Sequence, residues 1–212
     1  MCIKNHNNTQ SARQQCIVVQ NLLTPNPYSR PCKALKEIRA IVMHWTANPN
    51  ANAKNNRDFF ETKKTGMGGY GSAHYVIDQD GTIIQCIPDN EVAYHCGSSS
   101  PDPVSKQIYT EYARNKFGKY CIDYTQNSPN NCTIGIELCP TDWEGHFTDK
   151  TLESASLLCA ELCKKYNLTV SDITTHHNIV GWKDCPKLWT DNPALFEEFQ
   201  NKVKEKINVG SN

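Results

Sequence analysis

Near its C-terminal end the chain reads ITTHHNIVGWKDCPKLW, residues 173–189. Two adjacent histidines precede a Lys-Asp-Cys-Pro turn. Imidazole and thiolate are good donors to zinc. The short loop from His177 to Cys185 can fold back so that both side chains meet one ion, and Pro186 stiffens the turn that presents the sulfur. A tetrahedral ion needs at least one more donor. His44 closes the apolar run AIVMH, where side chains emerge at the edge of a sheet. Two histidines and one cysteine leave the fourth position open, which suits a catalytic ion better than a closed structural one.

Such a site also needs a base. Glu137 stands in TIGIEL, an otherwise apolar strand, and a carboxylate there is costly unless it has a partner or a task. Facing a water it would take the proton and pass it to a leaving amine. Lys183, two residues before Cys185, would direct a cation at the same place and stabilise negative charge growing on a carbonyl oxygen. Read singly, each has an ordinary explanation. A His and a Cys meet at that spacing by chance, a strand-end Glu pairs with a base, and a loop lysine sits in solvent.

The elements that must hold these residues follow from periodicity. EIRAIVMHWTA (37–47) and CTIGIEL (132–138) are apolar and β-branched, as buried strands are. AHYVID and TIIQCIP flank Gln79-Asp80-Gly81 and predict a hairpin. NAKNNRDFFETKK predicts a helix capped by Asn50 or Asn52, and GMGGYGS is too rich in glycine to be regular. A long Ser/Pro/Asn-rich connection runs from about 97 to 132, with a short helix near SKQIYTEYARNKFG. TDKTLESASLLCAELCKKYN is an amphipathic helix with Thr148 as its N-cap. NPALFEEFQNKVKEKI is another, with Asn192 as cap and Pro193 in its first turn. Alternating strands and helices predict an α/β sheet covered by helices.

At 212 residues one core is expected, with residues 1–16 a loose polar tail and 17–212 the domain. The 22 basic and 22 acidic residues cancel, which gives no reason to expect nucleic acid or a membrane surface as partner. No window is apolar enough to enter a membrane, and MCIKNHNNTQSARQQ lacks the apolar stretch of a secretory signal. The expectation is synthesis in the cytoplasm. Eleven cysteines are many, but with a large core they read as reduced and buried, Cys159 and Cys163 among them on the apolar helical face.

IVMHWTANPNANAKNNRDFF, SAHYVIDQDGTIIQCIPDNEVAYHCG, TIGIEL and HNIVGWKDCP occur in that order. Together they resemble the type 2 family of N-acetylmuramoyl-L-alanine amidases, phage endolysins and bacterial autolysins related to the peptidoglycan recognition proteins. The likeness spans about residues 20–207. It implies a single α/β domain with a central mixed sheet flanked by helices. It also implies hydrolysis, with bound Zn2+, of the amide between N-acetylmuramic acid and L-alanine in peptidoglycan. The wall would be reached after release through a holin or lysis. The alternatives are a peptidoglycan-binding module without catalysis and a cytosolic enzyme recycling muropeptides.

Carried over by position, the resemblance makes His44 a zinc ligand and matches the family's His-x7-Cys pair to His177 and Cys185, leaving His176 to shape the loop. Glu137 becomes the base and Lys183 the oxyanion cation. The family's AWHAG stretch matches AYHCG, making Tyr94 and His95, with Trp45 and Trp182, contacts for sugar and peptide. Some relatives carry a catalytic tyrosine where Ala73 stands, so that role falls to Glu137. His74 is expected to pack behind the site.

Overall fold

The computed structural model describes residues 17–122 and 127–209; the tail expected at 1–16 lies outside them. Two apolar strands form the centre, β2 (Ala40–Trp45) and β5 (Thr133–Leu138). They pair in parallel, with Ala40 opposite Thr133 and His44 opposite Glu137. Both are covered on two sides, which is why they read as nearly unbroken hydrophobic runs.

β6 (Ile173–Thr175) lies beside β2, and β3 (Tyr75–Ile77) beside β5, both parallel. The chain then reverses through Gly81 into β4 (Ile83–Gln85), so β3 and β4 make the antiparallel hairpin predicted there. Gly81 sits at φ +88°, a conformation that glycine adopts without strain. β1 (Val18–Gln20) closes the far edge, giving the order β1-β4-β3-β5-β2-β6 in one mixed sheet. Neither edge strand, β1 nor β6, was foreseen, because each is three residues long and neither is flanked by a hairpin turn signal such as Asp80-Gly81.

Alternation sorts the side chains onto two faces. Ile41, Met43, Ile134, Ile136, Leu138, Tyr75 and Ile77 enter one core with α3 (Asp149–Tyr166) and α6 (Pro193–Val209). Thr148 caps α3 as predicted, accepting from the Thr151 amide. Cys159 and Cys163 pack in this core, which α5 (Lys187–Asp191) completes with Trp189 against Phe196 and Phe199. Each such side chain contributes about 1.5–3 kcal/mol on burial.

The opposite face has two separate covers. α1 (Ala53–Thr62), capped by Asn52, closes over Val76 and Ile84. α2 (Glu111–Phe117) and α4 (His176–Val180) close over Ala40 and Val42 with Phe117, Tyr120 and Ile179. Between the covers the C-terminal ends of β2 and β5 stay open, the position where parallel sheets bind ligands. Among the described residues no helix is long and apolar enough to cross a membrane.

A buried carboxylate ties the hairpin to α3. Asp89 accepts from the hydroxyls of Tyr75 and Tyr166, from Gln85 and from Lys165. Burial pushes its pKa upward, but these donors outweigh it and hold the carboxyl below its usual range. Asp89→Ala would remove the buried acceptor shared by the Tyr75 hydroxyl and the Gln85 amide. We expect a loss of about 2–3 kcal/mol, read as a lower urea midpoint at unchanged slope.

Candidate metal centre and active-site cleft

The uncovered strand ends floor a cleft of about 1010 Å³. Ala40, Val42 and His44 of β2 and Thr133, Gly135 and Glu137 of β5 share the sheet face opposite α3, and of these His44 and Glu137, at the strand ends, line the cleft. β6 runs in parallel beside β2, pairing Ile41 with Ile173 and Met43 with Thr175. Ile173 faces the α3 core, so Thr174 and then His176 fall on the cleft side. Thr175 ends the strand and caps α4, its hydroxyl accepting from the Asn178 amide.

The resulting donor set is His44, His176 and Cys185, all buried, with ligand atoms within 4.8 Å of one another. This corrects the expectation for His177. Its backbone N–H donates to the Cys185 carbonyl at 2.9 Å, and its Nδ1 donates to the Lys183 carbonyl at 3.0 Å. His177 thus braces the loop that carries the cysteine, and it is His176 that stands with His44 and Cys185. Spacing in sequence pointed to His177; the side of the strand decides for His176, and that signal required recognising β6.

Zinc fits this donor set. Two tetrahedral ligands about 2.1 and 2.3 Å from one ion stand roughly 3.6 Å apart, and His44 Nδ1 and Cys185 Sγ are 3.6 Å apart. His176 Nδ1 and Glu137 Oε2 are buried without any hydrogen-bond partner. Orphaned buried polar atoms are rare, and two beside one donor cluster mark a place for an ion and the groups it orders.

The electrostatics agree. Burial, reinforced by His176, His95 and Lys183, pushes the His44 pKa far down. Burial and Lys183 bring His176 to about 3. Both rings are therefore neutral at pH 7 and offer lone pairs. Burial pushes the Cys185 thiol up to about 12, with Glu137 adding to the rise and Lys183 opposing it, so its thiolate needs a cation beside it. Burial raises Glu137 to about 8 against the pull of Lys183. A carboxyl with its pKa near neutrality can both take and return a proton.

Lys183 is exposed beside this floor. Trp45 lines the cleft and also holds the loop, its indole N–H donating to the Asp184 carbonyl at 3.0 Å. Tyr94 and Trp182 line the walls, and Tyr94 packs edge-on against Tyr70. Phe59, Tyr70, Lys33 and Lys36 also line the cleft. Sequence reading missed these four, because they come from a helix and loops whose approach depends on tertiary packing. His95 touches the cleft, but both ring nitrogens are engaged inward, Nδ1 with His44 and Nε2 with Thr133. Both ring nitrogens are thus already hydrogen-bonded within the protein.

An α/β cleft with these groups at its parallel strand ends defines a hydrolase-like architecture, and the comparisons give it a family. The profile of N-acetylmuramoyl-L-alanine amidases matches residues 34–188. The chain belongs to the N-acetylmuramoyl-L-alanine amidase family. It is 32% identical to the amidase BlyA of Bacillus subtilis (strain 168) over 90% of its length and 48% of that protein. It is 32% identical to the amidase CwlL of Bacillus licheniformis over 88% of its length and 46% of that one. The chain therefore spans about half the length of these curated relatives. The solution structure of the PlyG catalytic domain superposes with a TM-score of 0.65 at 21% identity, covering 90% of this chain and 95% of that one. The catalytic domain of XlyA gives 0.60 at 22%, covering 88% and 99%.

Behind the floor, His74 packs as expected. Its Nδ1 accepts from the Gly135 N–H at 2.9 Å and its Nε2 donates to the Glu91 carbonyl at 2.9 Å. Burial brings its pKa down to about 4, although the Glu91 carbonyl and the Asp89 and Glu91 charges pull it up. The unfolded chain therefore takes up this proton first. The stability involved is complete above about pH 6.5 and is lost as pH falls through about 4, a span of about 3 kcal/mol. We expect the urea midpoint to fall across that window. His74→Asn should be less stable at pH 7 but show a flatter profile; an equally steep profile would place the titration elsewhere.

Proposed function

We propose that this protein is a zinc-dependent hydrolase of the amide joining N-acetylmuramic acid to L-alanine in peptidoglycan. The observation carrying the reading is the pairing of His44 with Glu137 across β2 and β5. That pairing sets a buried, unpartnered carboxylate oxygen near a His-His-Cys donor set at the floor of one cleft. A module that only binds has no need of such a carboxylate, which favours catalysis over the binding alternative.

His44, His176 and Cys185 would hold the ion. When bound, zinc supplies Lewis acidity, making water a proton donor near neutral pH and polarising a carbonyl oxygen. Glu137 takes a proton from water as the water oxygen attacks the lactyl carbonyl carbon. Glu137 then returns that proton to the L-alanine nitrogen as the C–N bond breaks. Lys183 holds the negative charge that collects on the carbonyl oxygen. Trp45, Tyr94 and Trp182 offer flat surfaces to sugar and peptide, and Lys33 and Lys36 suit the carboxylates of a stem peptide. The site of action is the cell wall, reached after release by lysis. Support comes from relatives named as amidases and from the structural neighbour described as a mutant endolysin from Bacillus subtilis.

Digestion of purified peptidoglycan should release new N-terminal alanine and should stop on chelation. Reducing ends in place of alanine would sink the reading. Glu137→Gln should keep zinc and lose about 10²–10⁴-fold in rate. His176→Ala should lose zinc on dialysis, measured by elemental analysis, whereas His177→Ala should retain it. The reverse pattern would restore His177 as ligand.

A further inference from the structure

We propose that Thr133 and His95 are positioning residues that fix the tautomer and orientation of His44, so that Nδ1 is the atom presented to the metal. The inference rests on the zinc reading above and goes beyond it, because neither residue touches ion or substrate.

Donor bookkeeping carries the argument. The Thr133 hydroxyl has one hydrogen, and it goes to the Pro129 carbonyl at 2.8 Å, an oxygen that only accepts. Toward His95 Nε2, at 3.2 Å, Thr133 must therefore accept. That places the His95 proton on Nε2 and leaves His95 Nδ1 a bare acceptor. His44 Nε2 lies 3.0 Å from that Nδ1 and must donate to it. The remaining nitrogen of His44 is Nδ1, without a proton, 3.6 Å from Cys185 Sγ. Each step follows from the one before, starting at a backbone carbonyl.

The surroundings hold this relay in place. Asn130 Oδ1 accepts from the backbone N–H groups of His95, Cys96 and Gly97, at 3.0, 2.8 and 3.2 Å. Gly135 faces the same side of β5 as Thr133, and a Cβ there would stand 2.5 Å from the His95 ring. The missing side chain is the slot in which His95 lies. The rings of His44 and His95 meet edge to face, 5.1 Å between centroids. Metal-bound histidines usually give their second N–H to a carboxylate, a carbonyl or water. Here a neutral ring accepts it, and that ring has to be told which nitrogen to leave bare. Thr133 does this.

The test uses zinc-loaded full-length protein and three variants, His95→Leu, His95→Gln and Thr133→Val. Zinc affinity is read by chelator competition, and site geometry by the visible spectrum after cobalt replacement. His95→Leu removes the acceptor and should weaken zinc about 10–100-fold and move the cobalt bands. His95→Gln keeps an acceptor oxygen and should restore most of the affinity. Thr133→Val keeps volume but loses the hydroxyl, and should weaken zinc in the same direction. Should His95→Leu fail to fold, Thr133→Val carries the expectation alone. Nitrogen-15 NMR of the parent should find the His44 proton on Nε2; a proton on Nδ1 overturns the inference. So does unchanged zinc affinity with an unchanged cobalt spectrum in Thr133→Val. A parent that binds no zinc overturns the zinc reading itself, and this inference falls with it.

Discussion

The molecule depends on the register between two parallel strands. β2 and β5 are paired so that His44 stands opposite Glu137. Each strand sends alternate residues to opposite faces, so the same six residues build a hydrophobic core on one side and reactive groups on the other. A slip of one residue would put Met43 opposite Glu137 and turn the carboxylate toward α3. Register here is enforced by Ile41, Met43, Ile134, Ile136 and Leu138, which have nowhere else to go. The apolar face therefore does the positioning for the polar one.

That arrangement explains why the site tolerates polar groups that a core would reject. Glu137 Oε2 and His176 Nδ1 have no partner, and Cys185 is a thiol held far from its thiolate range. Each is unfavourable alone. Together they form a cavity whose unmet valences match one divalent cation and one polarised substrate. Their cost is met by rigid surroundings: Trp45 and His177 pin the carbonyls of the 183–185 loop, and Asn130 pins three amides of the 95–97 segment.

Much of this was legible in the residues. The apolar runs around 40–45 and 133–138, the hairpin at Gly81, and the Thr148-capped helix all carry strong local signals, and the structure realises each. His44 and Cys185 were legible as a possible donor pair through the order of the motifs around them, and the structure brings the two side chains together. His176 was not. Its assignment depends on β6, a three-residue strand whose pairing with β2 is visible only in three dimensions. The cleft wall from Phe59, Tyr70, Lys33 and Lys36 was hidden for a related reason, since nothing local says which exposed aromatic will face which strand end. His95 was legible as a cleft residue, but its hydrogen bonds to Thr133 and His44 were not, because those partners lie far away in sequence.

The thiols have a consequence of their own. Of the nine cysteines among the described residues, none of them in a disulfide, only Cys32 is exposed. Burial pushes the thiols of Cys86, Cys121, Cys132, Cys139 and Cys185 well above their ordinary range, so these sulfurs are poor nucleophiles at neutral pH. Among the described residues the fold therefore carries its sulfur as covered thiols in place of a crosslinked framework. Among the described residues, a mild oxidant arriving from solvent meets Cys32 first, well apart in sequence from Cys185.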